Sequence, residues 1–307
     1  MKQAPMKQTP IKHGQIMGGT VTTPDLAAAL GDYRDTLGLR LVEQGALPAD
    51  LAASWGCPAS AGAAFALLQP QSGAPCHIRL VEQPAPEGFR PTTSFGWAAY
   101  EITVQDVEGW PRRLEGSGFA IAGAPKAIAG MPEFVPMQVI GRGHEMLYLN
   151  QVFADMAGTD LPKAQSPVDH IFILILATPD RAASIAFYRQ ALGLEATATF
   201  TIRYSMINKA FGFDEAHLTD LSMVQNGRLP VLEIDQYPPE AGPRPGDPQR
   251  LPAGNAMVTL ACQSLDAVNA PFLAPPAVRE GPFYAGRRAA TLRATPGSEL
   301  VELIEIG

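Results

Sequence analysis

Apolar residues fall in short blocks of extended character, each bounded by turn residues and separated by stretches that read as helix. The first block, 15–21, predicts a strand; the Pro24-Asp25 pair then opens a helix over 25–36, and Gly38 closes it. Proline near a helix start has its φ preset and lacks only an N–H that would be orphaned there, while glycine just past the end adopts the left-handed cap. Strands at 39–44, 62–69 and 77–82 follow. The pattern then repeats: strand 97–104, helix 106–116 and strands near 119–123, 134–140 and 145–151. A third round has strand 168–176, helix 180–191, a long middle over 202–220 and strand 230–235. A fourth has strand 257–261, a short helix at 264–269 and strands near 289–294 and 299–306. Gln71-Ser72-Gly73-Ala74-Pro75 and Gly141-Arg142-Gly143 supply turn chemistry between strands. Each module is therefore strand, helix, then three strands.

Two of the rounds share residues as well as pattern. Thr23-Pro24-Asp25-Leu26-Ala27-Ala28, Tyr33-Arg34 and Leu37-Gly38-Leu39 return as Thr178-Pro179-Asp180-Arg181-Ala182-Ala183, Tyr188-Arg189 and Leu192-Gly193-Leu194. Tyr33 and Tyr188 lie 155 positions apart, about half of the 307 residues, which marks a duplicated domain and not a short-period solenoid. The expected division is a first domain over 13–152, a linker over 153–167 and a second domain over 168–307. Residues 1–12 read as a polar lead-in. Pro238 to Pro252 holds six prolines and must be extended, as a connection or as a lid.

Hydrophobic residues make up 46% and charged residues 17%, which suits ordinary globular folding. No apolar run approaches the ~20 residues that span a bilayer, and the polar start lacks the apolar centre of a signal peptide, so a soluble, cytoplasmic protein is expected. The net charge of −7 argues against a nucleic-acid partner, since phosphate binding needs clustered Lys and Arg. Cys57, Cys76 and Cys262 are too few and too scattered for a disulfide framework or a cysteine-based zinc site, and read as small buried hydrophobes. Dinucleotide-binding, phosphate-loop and serine-hydrolase motifs do not occur.

The paired strand-helix-strand-strand-strand modules, Phe187-Tyr188-Arg189 followed by Leu192-Gly193-Leu194, and the closing Pro296-Gly297-Ser298-Glu299-Leu300-Val301-Glu302-Leu303 resemble the vicinal oxygen chelate superfamily. That group includes glyoxalase I, methylmalonyl-CoA epimerase, extradiol dioxygenases and bleomycin-resistance proteins. The resemblance implies an α+β fold of four βαβββ modules, paired into two domains with cupped mixed sheets. It implies a small-molecule substrate, is compatible with a homodimer, and is weak for chemistry, because one fold hosts many reactions.

In the family, ligands from the first and last strands of each module converge on one divalent ion. Carried onto the second half, that pattern gives His170, Glu233 and Glu302, with Met257 where a fourth ligand would stand; a thioether is a poor ligand for Mg²⁺, Mn²⁺ or Zn²⁺. The resemblance thus allows a divalent ion in the second domain. In the first half the positions are Gln15, Arg79, Ala99 and Tyr148, and a guanidinium there would repel a cation, so no metal is expected. Apart from the resemblance, a lone His at the head of a strand is ordinarily a satisfied core or surface residue. Glu302 and Glu305, three apart in a strand, face opposite ways; the family match selects Glu302.

Arg203, Tyr204, Asn208 and Lys209 lie in the long middle of the third module, where a polar cluster could anchor an anionic substrate or simply form a mixed surface loop. His144 and His217 read as exposed, and Trp97 and Tyr148 as filling the first cup. The resulting expectation is a lyase or isomerase that moves a proton next to a carbonyl. Glu233 or Glu302 would be the base, His170 a metal ligand or second acid/base, and Arg203 or Tyr204 the substrate anchor. The alternatives are a metal-free binding or resistance protein and an extradiol dioxygenase; the second lacks its second His, because that position is Met257.

Overall fold

The repeated Thr-Pro-Asp segment works through its aspartate. Asp25 and Asp180 are extended residues whose carboxylates accept from the amides of Ala28 and Ala183, each at 2.9 Å, satisfying donors that a helix start leaves open. They open α1 (Leu26–Gly31) and α4 (Arg181–Leu192), the latter closed by Gly193 at φ 65°. The two copies then diverge. α4 runs its full expected length, whereas α1 stops at Gly31 and widens into a π-turn over Asp32–Thr36, where Asp32 bonds the Gly118 amide at 2.8 Å and Arg142 at 2.5 Å.

The computed structural model describes residues 10–128 and 130–307; most of the polar lead-in expected at 1–12 lies outside them. Module one comprises β1 (Ile16–Thr23), α1, β2 (Arg40–Ala46), α2 (Ala49–Ser54), β3 (Ala64–Gln69) and β4 (His77–Glu82). Module two has β5 (Gly96–Val104), a 3₁₀ turn at Val107–Gly109 leading into α3 (Trp110–Arg113), then β6 (Ala120–Gly123), β7 (Phe134–Ile140) and β8 (Met146–Val152). The helix expected over 106–116 is shorter than its pattern.

Module three holds β9 (Val168–Thr178), α4, β10 (Glu195–Ile202), α5 (Ser205–Phe211), β11 (Thr219–Asn226) and β12 (Leu229–Gln236). The long middle is therefore two strands and a helix. Module four has β13 (Asn255–Cys262), a 3₁₀ turn at Leu265–Ala267, β14 (Ala277–Arg279), β15 (Arg287–Arg293) and β16 (Leu300–Glu305). α2 and α5 occupy the same place in modules one and three, a second trace of the duplication.

The modules do not pair within each half. One sheet has the order β14-β15-β16-β13-β1-β4-β3-β2 and joins module one to module four; the other, β10-β11-β12-β9-β5-β8-β7-β6, joins module three to module two. The seams are the antiparallel pairs β1–β13 and β5–β9. The expectation that 13–152 and 168–307 each close their own cup is corrected accordingly: each half lends one module to each sheet. Strand pattern within a module defines its four-stranded ladder but leaves its first strand free to pair with any equivalent first strand.

The sheets pack together through a common core that includes Leu80, Trp97, Tyr100, Ile102, Val258, Leu260 and Leu303. Tyr100 crosses between them and donates to both Thr20 O and Met257 O at 2.9 Å. Its ring lies so close to Gly19 that a Cβ there would stand 2.4 Å from it. The repeated tyrosines are clamps between sheets: Tyr33 donates to Glu145 and Tyr188 to Glu299, each at 2.8 Å. The proline-rich connection between β12 and β13 is pinned by half-buried Arg244, which donates to the carbonyls of Trp97, Ala253 and Asn255. The three cysteines are free and buried.

Candidate functional site

Each sheet has a concave face with its own cluster of side chains. In the first cup, the sheet of modules one and four, Arg79 on β4 is in register with Thr20, and Glu302 on β16 with Thr259. Glu302 is almost fully buried and saturated. It accepts from Trp55 Nε1 at 2.8 Å, Tyr284 OH at 2.8 Å and Thr259 Oγ1 at 2.9 Å, with the Arg79 guanidinium 3.9 Å away. The guanidinium is caged by the rings of Trp55, Phe283 and Tyr284, 4.9, 4.8 and 5.6 Å from their centroids. Beside it, burial and the charge of Arg79 push the His77 pKa down to about 4, so this imidazole is neutral. A cavity of about 70 Å³ lies over Arg79, between Leu51, Phe65 and Phe283. This cup is filled by its own residues.

The second cup, the sheet of modules two and three, is acidic. Glu233 on β12 is in register with Ile175, and Asp235, two residues on, points to the same face. Tyr204, at the start of α5, donates to Glu233 Oε1 at 2.9 Å, and its hydroxyl lies 3.2 Å from that of Tyr148 on β8. Glu101 on β5 is in register with Tyr148 and accepts from Asn150. Burial raises the pKa of all three carboxyls; for Glu101 and Asp235 the charge of Glu233 adds to it. Burial also lifts the phenols of Tyr148 and Tyr204, so both remain donors. α5 roofs the cup with Met206 and Ile207, while Lys209 and Phe211 on the same helix line an outer groove of about 570 Å³ with Arg90 and Glu240.

Against this geometry the expected site divides. Glu233 and Tyr204 meet in the second cup. Glu302 faces the first cup with Met257, which is buried among the apolar residues there. The three groups expected on one ion therefore do not converge. His170 is a further correction. It pairs with Asp169 at 3.1 Å near the head of β9, five residues, or about 16 Å, before Ile175. Gln15 is its counterpart outside the first cup, where its side chain bonds the Lys12 amide. Arg203 is exposed and reaches no carboxyl within ion-pair distance. Asn208 is buried and ties down the following loop through the carbonyls of Glu215 and His217. Trp97 belongs to the core between the sheets, with its indole on Leu300 O at 2.9 Å, and not to a cup.

Sequence reasoning missed Asp235, Glu101, Asn150 and Trp55. Asp235 was within reach, since residues two apart in a strand share a face. Trp55 follows a short helix in a connection and carried no signal.

The residues do not fit the divalent ion that the resemblance allows. In the first cup a guanidinium lies where an ion would sit; in the second, Glu233 is in register with Ile175, which in turn faces Ala99, so the first-strand positions beside it supply no ligand. Among the described residues no three His, Cys, Asp or Glu side chains are grouped to hold a metal.

No family model matches the sequence, and no curated protein matches it significantly. Solved structures do. Glyoxalase I from Zea mays is 16% identical, with a TM-score of 0.61 over 95% of this chain and 92% of that one. A putative dioxygenase from Bacillus subtilis subsp. subtilis str. 168 is 13% identical, with a TM-score of 0.63 over 96% and 86%. The chain shares the fold of these two structures over nearly its whole length. No helix among the described residues is long and apolar enough to cross a membrane.

Proposed function

We propose that this protein is a lyase or isomerase of small oxygenated carbonyl compounds, that the second cup is its working site, and that Glu233 is the general base. The observation that carries the reading is the contrast between the two cup carboxylates. Glu302 already accepts three hydrogen bonds and has a guanidinium 3.9 Å away, so it is engaged within the protein. Glu233 accepts one phenol hydrogen bond, and burial moves its pKa toward the range in which a base works best.

The chemistry follows from these groups. A substrate carbonyl placed under α5 brings its adjacent C–H to Glu233, which takes the proton as the electron pair moves onto the carbonyl oxygen. Once Glu233 holds the proton it no longer needs the Tyr204 hydrogen bond, so the Tyr204 O–H turns to the enolate oxygen as its charge develops, with the Tyr148 hydroxyl donating to Tyr204 behind it. With an α-hydroxy carbonyl, return of the proton from Glu233 to the former carbonyl carbon, while the hydroxyl proton passes to the other oxygen, completes an isomerisation; expulsion of a β-substituent with its electron pair, protonated by Glu233, completes a lyase step. No step is routed through a metal, because the donor set does not fit one.

The close roof formed by α5 favours a second reading, in which the same cup captures a small molecule without turning it over. Proton NMR in D₂O separates the two. A panel of small α-hydroxy and α-keto carbonyl compounds should include at least one whose C–H exchanges with solvent faster in the presence of the protein. Glu233→Gln should slow that exchange by a factor of order 10² or more. Binding without exchange would leave the capture reading, and exchange at an unchanged rate in Glu233→Gln would remove Glu233 from the mechanism.

A further inference from the structure

The duplication allows one cup to be read against the other. By register, Arg79 and Glu233 are counterparts: each lies on the last strand of its module, opposite Thr20 and Ile175 on the first. In the first cup that position supplies a guanidinium, held between a carboxylate and three aromatic rings. In the second cup the same position supplies a carboxylate instead, so the acids have gained a member and lost their cation.

The consequence is a surplus of acceptors. Both carboxyl oxygens of Asp235 and the amide oxygen of Asn150 are buried with no hydrogen-bond donor, in residues 1% and 0% exposed. Tyr204 is already committed to Glu233, and Tyr148 to Tyr204. Among the described residues no Lys, Arg or His lies within 4.0 Å of Glu101, Glu233 or Asp235; the ion pairs all fall elsewhere. Tyr204 and Tyr148 stand at Glu233, and Tyr237 lies close to Asp235 with Phe211 edge-on to its ring at 5.9 Å. An organic cation answers each of these needs: it brings positive charge, three N–H donors as a primary ammonium or up to five as a guanidinium, and a face or edge that packs on aromatic rings.

We infer that the second cup recognises a ligand bearing a guanidinium or alkylammonium group, which it holds as the first cup holds its own Arg79. This rests on the reading of the second cup as the working site and names its substrate class: a carbonyl compound with a cationic end, anchored by Asp235 and Glu101 while Glu233 faces the carbonyl. Among the described residues no three acids are placed to share a metal ion, which favours an organic cation over a divalent one.

Calorimetric titration of the intact protein tests this with N-butylguanidinium, butylammonium and the neutral isostere N-butylurea. The cations should bind at least tenfold more tightly than the urea. They should also displace protons from the carboxyl cluster, so that the observed heat changes between buffers of different ionisation enthalpy. Asp235→Asn and, separately, Glu101→Gln should weaken cation binding tenfold or more while keeping the melting temperature. Equal binding of the urea, no cation binding at millimolar concentration, or exclusion of the cation by Mg²⁺ or Mn²⁺ would each overturn the inference. C–H exchange that persists without cation recognition would leave the proton-transfer reading intact, and cation binding without any exchange would sink that reading alone.

Discussion

Glu145 offers a quantitative handle on how the two sheets are held together. It is 1% exposed, accepts from Tyr33 OH at 2.8 Å and from the Gly143 amide at 2.9 Å, and burial pushes its pKa up to about 7 despite those bonds. Unfolded, the same carboxyl titrates near 4.3. Between those values the folded protein binds more protons than the unfolded chain, so stability falls as pH rises, and the full loss is reached once pH exceeds the folded pKa. A shift of this size is worth about 4 kcal/mol.

Glu145→Gln removes the charge and keeps one acceptor for Tyr33, but its amide nitrogen cannot accept from Gly143. The variant should therefore be about 1–3 kcal/mol less stable than the parent near pH 4. It should lose that deficit progressively up to pH 8, where the parent carries the buried charge and the variant does not. Urea unfolding at half-unit intervals from pH 4 to 8, followed by circular dichroism, reads the difference. Glu101, Glu233, Asp235 and Glu299 also have raised pKa values, and they slope both proteins in the same sense; the difference isolates Glu145. Parallel profiles for the two proteins would refute the assignment of a proton to this clamp.

Other expected outcomes follow from single sites. Arg79→Met alone should cost about 3–5 kcal/mol because it strands Glu302 in the first cup, whereas the pair Arg79→Met and Glu302→Leu should recover only part of that loss, because Trp55, Tyr284 and Thr259 then lose their acceptor; thermal unfolding of the three proteins checks this. Gly19→Ala should destabilise by about 1–3 kcal/mol, since the added methyl meets the Tyr100 ring at 2.4 Å and the strand must shift; urea midpoints report it. Tyr204→Phe should lower the exchange rate at saturating substrate with little change in stability, while Arg203→Ala, exposed and outside the cluster, should leave both within twofold. Equal losses in these two variants would contradict the placement of Tyr204 on Glu233.

Much of the fold is legible in the sequence because its signals are local. The Thr-Pro-Asp segments cap helices through Asp25 and Asp180, Gly193 takes the left-handed end of α4, and alternation along 299–306 turns Glu302 and Glu305 to opposite faces. The pairing of modules is a long-range choice. Gly18 to Val21 could pair with any similar first strand, and what selects Met257 to Val258 is the close approach of Tyr100 to Gly19, with its hydroxyl shared between β1 and β13. Placing the site inherits that difficulty: Glu233 and Glu302 each face a cup, yet only the topology reveals that the cups differ. His170 was misplaced for a simpler reason. It is the histidine of β9, but the strand is 11 residues long and the row opposite Glu233 begins at Ile175.

The account stands on the claim that the second cup works and the first is sealed by its own arginine. The direct measurement is solvent-deuterium exchange on one active carbonyl compound, compared at equal concentrations of folded protein for the parent, for Glu233→Gln, and for the doubly substituted Arg79→Met, Glu302→Leu protein. The expected result is a loss of order 10² or more in Glu233→Gln and a rate within threefold of the parent in the double variant. Full activity in Glu233→Gln with loss in the double variant would contradict the claim and move the chemistry to the first cup.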